Sequence, residues 1–307
     1  MLRIKDVTDW MEGLAPLRLS AEWDNTGLLL GDLQREVRRL MTCLTLTPES
    51  VAEAVSGKAD LVISHHPLPF RPLKKIIASE PAGRMLWELA RAGVSVYCPH
   101  TAWDSAAGGI NAQLANRLQL RNIVPLVAEA TRSLPEKGSD SLRRGPKTHE
   151  NDSPPMGQTP FRTGSQFLTS QSKQADSVDQ LGAGRVGDLV GRCNLRDIAK
   201  LICAAIPHCR PRVVDAGLSI GRVGIVCGSG GSLIEAAFCN ECDLFLTGEA
   251  TFHQCLEAKG AGLSMLMIGH FASEKFAMDS LAGLCRAEFA GLEVWGSVNE
   301  TDPVSSI

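Results

Sequence analysis

The sequence has no excess of basic residues, no long apolar run and no paired-cysteine framework, and each absence excludes a class of protein. Lysine and arginine number 31 against 34 acidic residues, a formal charge of −3, whereas a nucleic-acid surface usually needs a positive field. No apolar stretch approaches the roughly 20 residues that span a bilayer. The opening Met1-Leu2-Arg3-Ile4-Lys5-Asp6 has neither the basic start nor the apolar core of a secretory leader. Ten cysteines are spread over 307 residues, which is no short secreted frame. Cys43, Cys98, Cys203 and Cys227 fall inside apolar segments, where a thiol packs as a small hydrophobe. The expectation is a protein of the reducing cytoplasm, with no membrane span and no strong nucleic-acid signal.

What is present reads as an α/β protein. Hydrophobic residues make up 44% and charged residues 21% of the chain, enough to build one large or two ordinary cores. The composition changes near Ala128. From there to about Gln180 the chain is rich in Ser, Pro, Gly, Lys and Gln, without periodicity or enough apolar surface to offset the entropy of ordering it. Residues 1–127 are therefore read as an amino-terminal α/β lobe, 128–180 as a disordered low-complexity insertion, and 181–307 as a carboxyl-terminal α/β lobe. In the first lobe, apolar runs at 40–44, 60–64 and 94–98 predict buried strands. Thr47-Pro48 opens a helix, Gly93 ends one over 84–92, and another carries Ile110, Leu114 and Leu118 at a spacing of four. In the second, Asn194 caps a helix, strands are predicted at 223–227, 244–247 and 264–268, and helices begin near Ser232, Ala250 and Ser273. This alternation predicts two similar βα lobes with mainly parallel strands, whose carboxyl ends form a ligand-binding edge.

Five of the seven histidines fall at predicted strand ends or on the helices that follow. His65 and His66 end one strand and His100 the next. His253 lies early in a helix, and His270 follows Leu266-Met267-Ile268-Gly269. Side chains of adjacent residues at a strand end diverge, so His65 and His66 suit two ions, one imidazole each, better than one. Pro67 restricts His66 to extended backbone. His100-Thr101-Ala102-Trp103-Asp104 adds a carboxylate, and His270-Phe271-Ala272-Ser273-Glu274 adds a histidine and another. Taken singly, each has an ordinary explanation: a polar turn for the histidines, a helix cap for Asp104, a first-turn acid for Glu274. Their convergence on one edge favours two divalent metal ions. Histidine and carboxylate without thiolate suit Zn, Fe, Mn, Co or Ni alike.

The strings Ile63-Ser64-His65-His66-Pro67-Leu68, His100-Thr101-Ala102-Trp103-Asp104, Thr247-Gly248-Glu249 with His253, and Gly269-His270-Phe271-Ala272-Ser273-Glu274 resemble the Nif-three-like dinuclear metal-centre family. Glu22-Trp23-Asp24-Asn25-Thr26-Gly27-Leu28 matches that family's opening motif, and the resemblance covers most of the chain outside the insertion. Bacterial members are often labelled GTP cyclohydrolase type 2 homologs. The resemblance implies two metals held by His65, His66, Asp104, His270 and Glu274, with the glutamate able to touch both. It also implies two similar α/β lobes and a ring-shaped homohexamer. Some relatives carry a folded domain between the halves, and the tract at 128–180 does not look like one.

Two divalent ions at such an edge lower the pKa of a water and polarise the group attacked. The expected function is a metal-dependent hydrolase acting on a nucleotide or another phosphorylated small molecule, with His100 and His253 orienting or transferring protons. The alternative is a metal-binding scaffold, chaperone or interaction protein. Gly228-Ser229-Gly230-Gly231-Ser232 follows a strand and opens a helix, so it is either a phosphate-cradling loop or a tight turn with Ser232 as helix cap; it lacks the lysine of a P-loop. Cys239-Asn240-Glu241-Cys242 has zinc-ligand spacing but no second pair. Arg71, Lys74 and Lys75 are either a solvated basic loop or an attraction for an anion.

Overall fold

The computed structural model describes residues 1–129 and 180–305. They divide into two compact units, Met1–Ile110 with Glu274–Ile307, and Asn111–Ser273. The insertion predicted at 128–180 lies outside the described residues except at its margins, where Ala128 pairs with Gly182 in a two-stranded ribbon. Among the described residues no helix is long and apolar enough to cross a membrane.

The first unit starts with α1 (Ile4–Leu14), β1 (Gly27–Leu30), β2 (Arg39–Cys43), α2 (Pro48–Ser56), β3 (Leu61–Ser64), α3 (Pro81–Ala92), β4 (Ser95–Cys98) and α4 (His100–Ser105). Its sheet has the order β1–β4–β3–β2, completed by the strand Glu293–Gly296. All neighbours are parallel except β1, which runs antiparallel to β4. β3 and β4 are buried along their whole length, as expected of parallel strands covered on both faces. One face packs Met41, Cys43, Val62 and Val96 with Val51 and Ala54 of α2 and Leu86 and Leu89 of α3. On the other face Thr42 donates its hydroxyl to the carbonyl of Met278 at 2.9 Å. The helix signals behave as read: Thr47 accepts from the amide of Ser50 ahead of Pro48, and Gly93 closes α3 at φ +71°, a left-handed position that suits glycine.

The second unit holds α5 (Ile110–Arg117), which opens at its boundary, then β5 (Arg121–Val124), β6 (Val127–Ala128), β7 (Gly182–Ala183), β8 (Arg185–Cys193), α6 (Leu195–Ala205) and β9 (Arg212–Val214). There follow β10 (Ile220–Val226), α7 (Ile234–Cys239), β11 (Leu244–Thr247), α8 (Phe252–Gly260), β12 (Ser264–Met267) and α9 (His270–Glu288), whose residues from Glu274 belong to the first unit. The sheet order is β5–β8–β10–β11–β12–β9. Here the parallel pairs are the central β10–β11 and β11–β12, while β5, β8 and β9 pair antiparallel. The core joins Val186, Phe245 and Met265 to Ile234, Ala237 and Ala258. Asn194 caps α6 by accepting from the amide of Asp197.

Two helix starts differ from the sequence reading. The helix expected at Ser273 begins at His270, because Gly269 at φ +94° turns the chain after β12. The helix expected near Ser232 begins as a 3-10 turn over Gly230–Leu233, so Ser232 lies inside that turn and is not the cap. All ten cysteines are free thiols, with Cys43, Cys98 and Cys227 buried. Burial pushes the thiols of Cys43 and Cys98 well above their ordinary pKa. Cys203 is only half-buried, and its sulfur lies 3.0 Å from that of Cys209. Cys239 is exposed and Cys242 buried, and Cys242 is pushed up to about 12 by burial.

The turn between α4 and α5 needs glycine for room. A Cβ at Gly109 would overlap the carbonyl oxygen of Trp103, which belongs to the turn of helix carrying Asp104. Gly109→Ala is expected to destabilise the protein by about 1–3 kcal/mol in chemical denaturation, the usual scale of overpacking. Gly191→Ala, at a strand position with nothing within 4 Å of the added carbon, is expected to stay within about 0.5 kcal/mol of wild type. Equal effects would overturn the steric account.

Candidate metal centre

β3 and β4 are adjacent and parallel, so their carboxyl ends open on one edge of the first sheet. The ladder continues past β3 through the amides of His65 and His66, which donate to the carbonyls of Cys43 and Leu44 at 3.0 and 2.8 Å. Cys98 Sγ holds the His65 carbonyl at 2.9 Å. The two rings diverge, with centroids 5.0 Å apart and planes inclined by 51°. His100 opens α4 from the end of β4, and one donor nitrogen from each of His65, His66 and His100 lies within 4.8 Å of the others. His100 is held at φ +30°, a left-handed conformation a bulky residue keeps only when its surroundings fix it.

Two carboxylates complete the group. Asp104 lies one turn after His100 on α4, with its Oδ1 3.7 Å from His65 Nε2; it sits inside the helix and does not cap it. Glu274 sits in the second turn of α9, so the first-turn explanation for its charge does not apply. Its two oxygens face different rings, Oε1 lying 3.8 Å from His65 Nε2 and Oε2 3.2 Å from His66 Nε2. His270 starts the same helix four residues earlier, hence on the same helix face.

These separations fit a metal. Two ligand atoms each about 2.0–2.1 Å from one tetrahedral ion stand roughly 3.3–3.4 Å apart, and the donor pairs around Glu274 span 3.2–3.8 Å. His65 is fully buried and the Glu274 side chain is 4% exposed, whereas His66 and Asp104 are 23% and 26% exposed. The group is therefore dry at its base and open at its rim.

Other residues aim the rings. His66 Nδ1 lies 2.7 Å from Thr45 Oγ1, and Thr45 is itself fixed where its amide donates to Glu300 at 2.7 Å. His100 Nδ1 lies 2.7 Å from Asp24 Oδ1, and Thr101 donates both its amide and its hydroxyl to the same carboxylate. His270 Nδ1 lies 2.9 Å from Glu249 Oε1, which also accepts from Ser229 Oγ at 2.6 Å. The Nδ1 atoms of His66, His100 and His270 are thus engaged by the protein, the arrangement by which metal-binding histidines are oriented. For His100, burial works to lower the pKa, but the bond to Asp24 and the charges of Asp104, Asp24 and Glu274 outweigh it and raise the value. For Asp24, burial works upward, and the bonds from His100 and Thr101 bring the value below the ordinary one.

Sequence reading alone did not single out Asp24, Thr45, Glu249 or Glu300. Asp24 and Glu249 stand inside quoted motifs, which was the available signal; nothing marks Thr45 or Glu300. His253 enters neither group of converging donors; it is exposed on α8, against Phe252. In the Gly228–Ser232 loop the amides of Gly228 and Gly230 donate to the hydroxyls of Ser273 and Thr247. With Glu249 beside it, the loop serves as a support for His270 and is poorly suited to a phosphate.

Parallel strands ending in a histidine pair, with carboxylates entering from the following helices, define an α/β protein whose donor set is compatible with a metal site. The chain belongs to the Duf34/NIF3 (NGG1p interacting factor 3) family, whose model matches residues 2–303. It is 28% identical over 274 residues to the GTP cyclohydrolase 1 type 2 homolog of Clostridium perfringens, covering 89% of this chain and 87% of that protein. It is 26% identical to NIF3-like protein 1 of Drosophila melanogaster, covering 89% and 78%. A hypothetical protein of Staphylococcus aureus has the same fold, with a TM-score of 0.77 at 26% identity over 99% of both chains.

Thr45→Val and Glu249→Ala each remove one aiming bond and no metal-binding donor. Each is expected to weaken divalent-metal affinity about 10–100-fold, measured by competition with a chromophoric chelator. Affinity equal to wild type in both would show that these bonds do not orient ligands.

Proposed function

We propose that this protein is a metal-dependent hydrolase with a dinuclear centre, acting on a nucleotide or another phosphorylated small molecule. The observation that carries the reading is the division of Glu274, one oxygen toward His65, whose Nε2 also faces Asp104, and the other toward His66. In this reading His65, His66, Asp104, His270 and Glu274 would together hold two divalent ions. Bound divalent ions would supply Lewis acidity and a water of lowered pKa.

The chain's own groups do the rest. His66 and Asp104 at the rim leave room for a small molecule, whereas purely structural sites are usually closed by protein ligands. Asp24 accepts from His100 at Nδ1, so His100 would hold or pass a proton at Nε2. His253 has no comparable support, being exposed on its helix. The names of bacterial relatives point to GTP as the first substrate to try. Assembly as a homohexameric ring belongs to the same reading and rests on family membership alone.

The test is elemental analysis of the purified protein together with product release from a nucleotide panel including GTP, with and without added Zn, Fe, Mn, Co or Ni. About two equivalents of metal and metal-stimulated turnover are expected, both lost in His65→Ala and Glu274→Ala. Turnover unchanged in variants that have lost the metal would sink the enzymatic reading. Two equivalents of tightly held metal without turnover of any nucleotide would support the scaffold or chaperone alternative.

A further inference from the structure

Two large aromatic side chains stand in solvent beside the centre. Trp23 is 66% exposed and Phe70 54%, although each would gain from burial. Their ring centroids are 6.1 Å apart with planes inclined by 43°, so they form an open V. Both meet the edge of His100, Trp23 at 6.1 Å and Phe70 at 6.3 Å, with interplanar angles of 77° and 74°. His100 in turn lies 5.1 and 5.6 Å from the rings of His65 and His66.

The backbone carrying these rings is pinned. The Ala21 amide donates to Thr101 Oγ1 at 2.9 Å, Asp24 is bound by His100 and Thr101, and Asn25 Nδ2 donates to the Pro69 carbonyl at 2.8 Å. The loop of Trp23 is thereby fixed to α4 on one side and to the loop of Phe70 on the other. An exposed aromatic pair on a pinned backbone is preorganised for a planar ligand, because little ordering is left to be done on binding. Arg71 and Lys74 follow Phe70 and are exposed, so cationic side chains adjoin the aromatic wall.

We propose that Trp23 and Phe70 are the substrate-recognition residues of the centre, stacking a planar heteroaromatic ring whose anionic tail is met by Arg71 and Lys74. This rests on the hydrolase reading for what lies beyond the wall and narrows its substrates to purine nucleotides over pyrimidine nucleotides and plain sugar phosphates. Purines present the larger stacking face, and base stacking on an aromatic side chain tolerates many ring patterns. Trp23 and Phe70 are positioning residues here and take no part in proton transfer or metal binding.

The experiment titrates the full-length protein, loaded with metal to the stoichiometry it accepts, with GMP, CMP, ribose 5-phosphate and inorganic phosphate by calorimetry. GMP is expected to bind at least fivefold more tightly than CMP or ribose 5-phosphate. Trp23→Ala is expected to weaken GMP about tenfold or more, the scale of one lost stacking contact, while ribose 5-phosphate changes less than twofold. Trp23→Phe restores most of the GMP affinity, and bound metal is the same in all three proteins. GMP binding that ignores Trp23→Ala, an equal loss for ribose 5-phosphate, or no nucleotide binding at all overturns the proposal. Trp23-dependent GMP binding in a protein that takes up no metal would sink the hydrolase reading and leave this one standing. Two bound metals without base discrimination would do the reverse.

Discussion

Glu274 carries a carboxylate into a nearly dry pocket between two imidazoles, and much of the first unit is arranged around that charge. Removing an ionised carboxylate from water is costly unless positive charge or hydrogen-bond donors oppose it. The buried strands Leu61–Ser64 and Ser95–Cys98 supply mainly apolar side chains. What meets the carboxylate instead are ring nitrogens at 3.2 and 3.8 Å, with a second carboxylate, Asp104, 3.7 Å from one of them. Neutral imidazoles alone would leave both carboxylates poorly compensated in a poorly hydrated site. A cation held among these donors would oppose both negative charges, so spacing and charge are both compatible with a metal site.

The supports of the centre come from distant parts of the chain. Thr45 follows β2, Asp24 precedes β1 and Glu249 follows β11, yet each engages an Nδ1 and leaves an Nε2 for other work. Such bonds, made by separate loops, argue for rings fixed before any ligand arrives. His100 shows what such fixing requires, since it keeps a backbone conformation that its side chain disfavours. The bonds through Asp24 and Thr101 hold it there.

The parts of the site visible in the sequence are those whose signal is local. A buried strand that stops at His65-His66-Pro67 announces both its end and its donors, and His100 stands out at the end of the next strand with Asp104 close behind it. The α/β class was legible for the same reason, because alternating apolar runs and capped helices are short-range patterns. Glu274 was singled out but misplaced within its helix: the turn at Gly269, with φ +94°, starts α9 at His270, and a serine three residues later looks like a better cap. Thr45 could not be found this way. Its partner lies 21 residues away and meets it only because β2 and β3 are parallel neighbours. The Gly228–Ser232 loop left a cradle and a tight turn open in the sequence, because the hydroxyls of Ser273 and Thr247 that take the amides of Gly228 and Gly230 are not brought to it by any local pattern.

Trp23 and Asp24 are consecutive residues with opposite environments, one ring mostly in solvent and one carboxylate whose side chain is 0% exposed. That contrast links recognition to chemistry at the shortest possible range. Asp24 sets the orientation and protonation of His100, and Trp23 touches the edge of the same imidazole. A ring stacked on Trp23 therefore changes the hydration of His100 without moving any backbone, because the loop is already tied to Thr101 and Pro69. Excluding water there strengthens the Asp24–His100 interaction, since charge-assisted hydrogen bonds gain strength as the local dielectric falls. On this argument, a bound planar ring would cover what little of His100 is still exposed, and a ligand that lacks one would not.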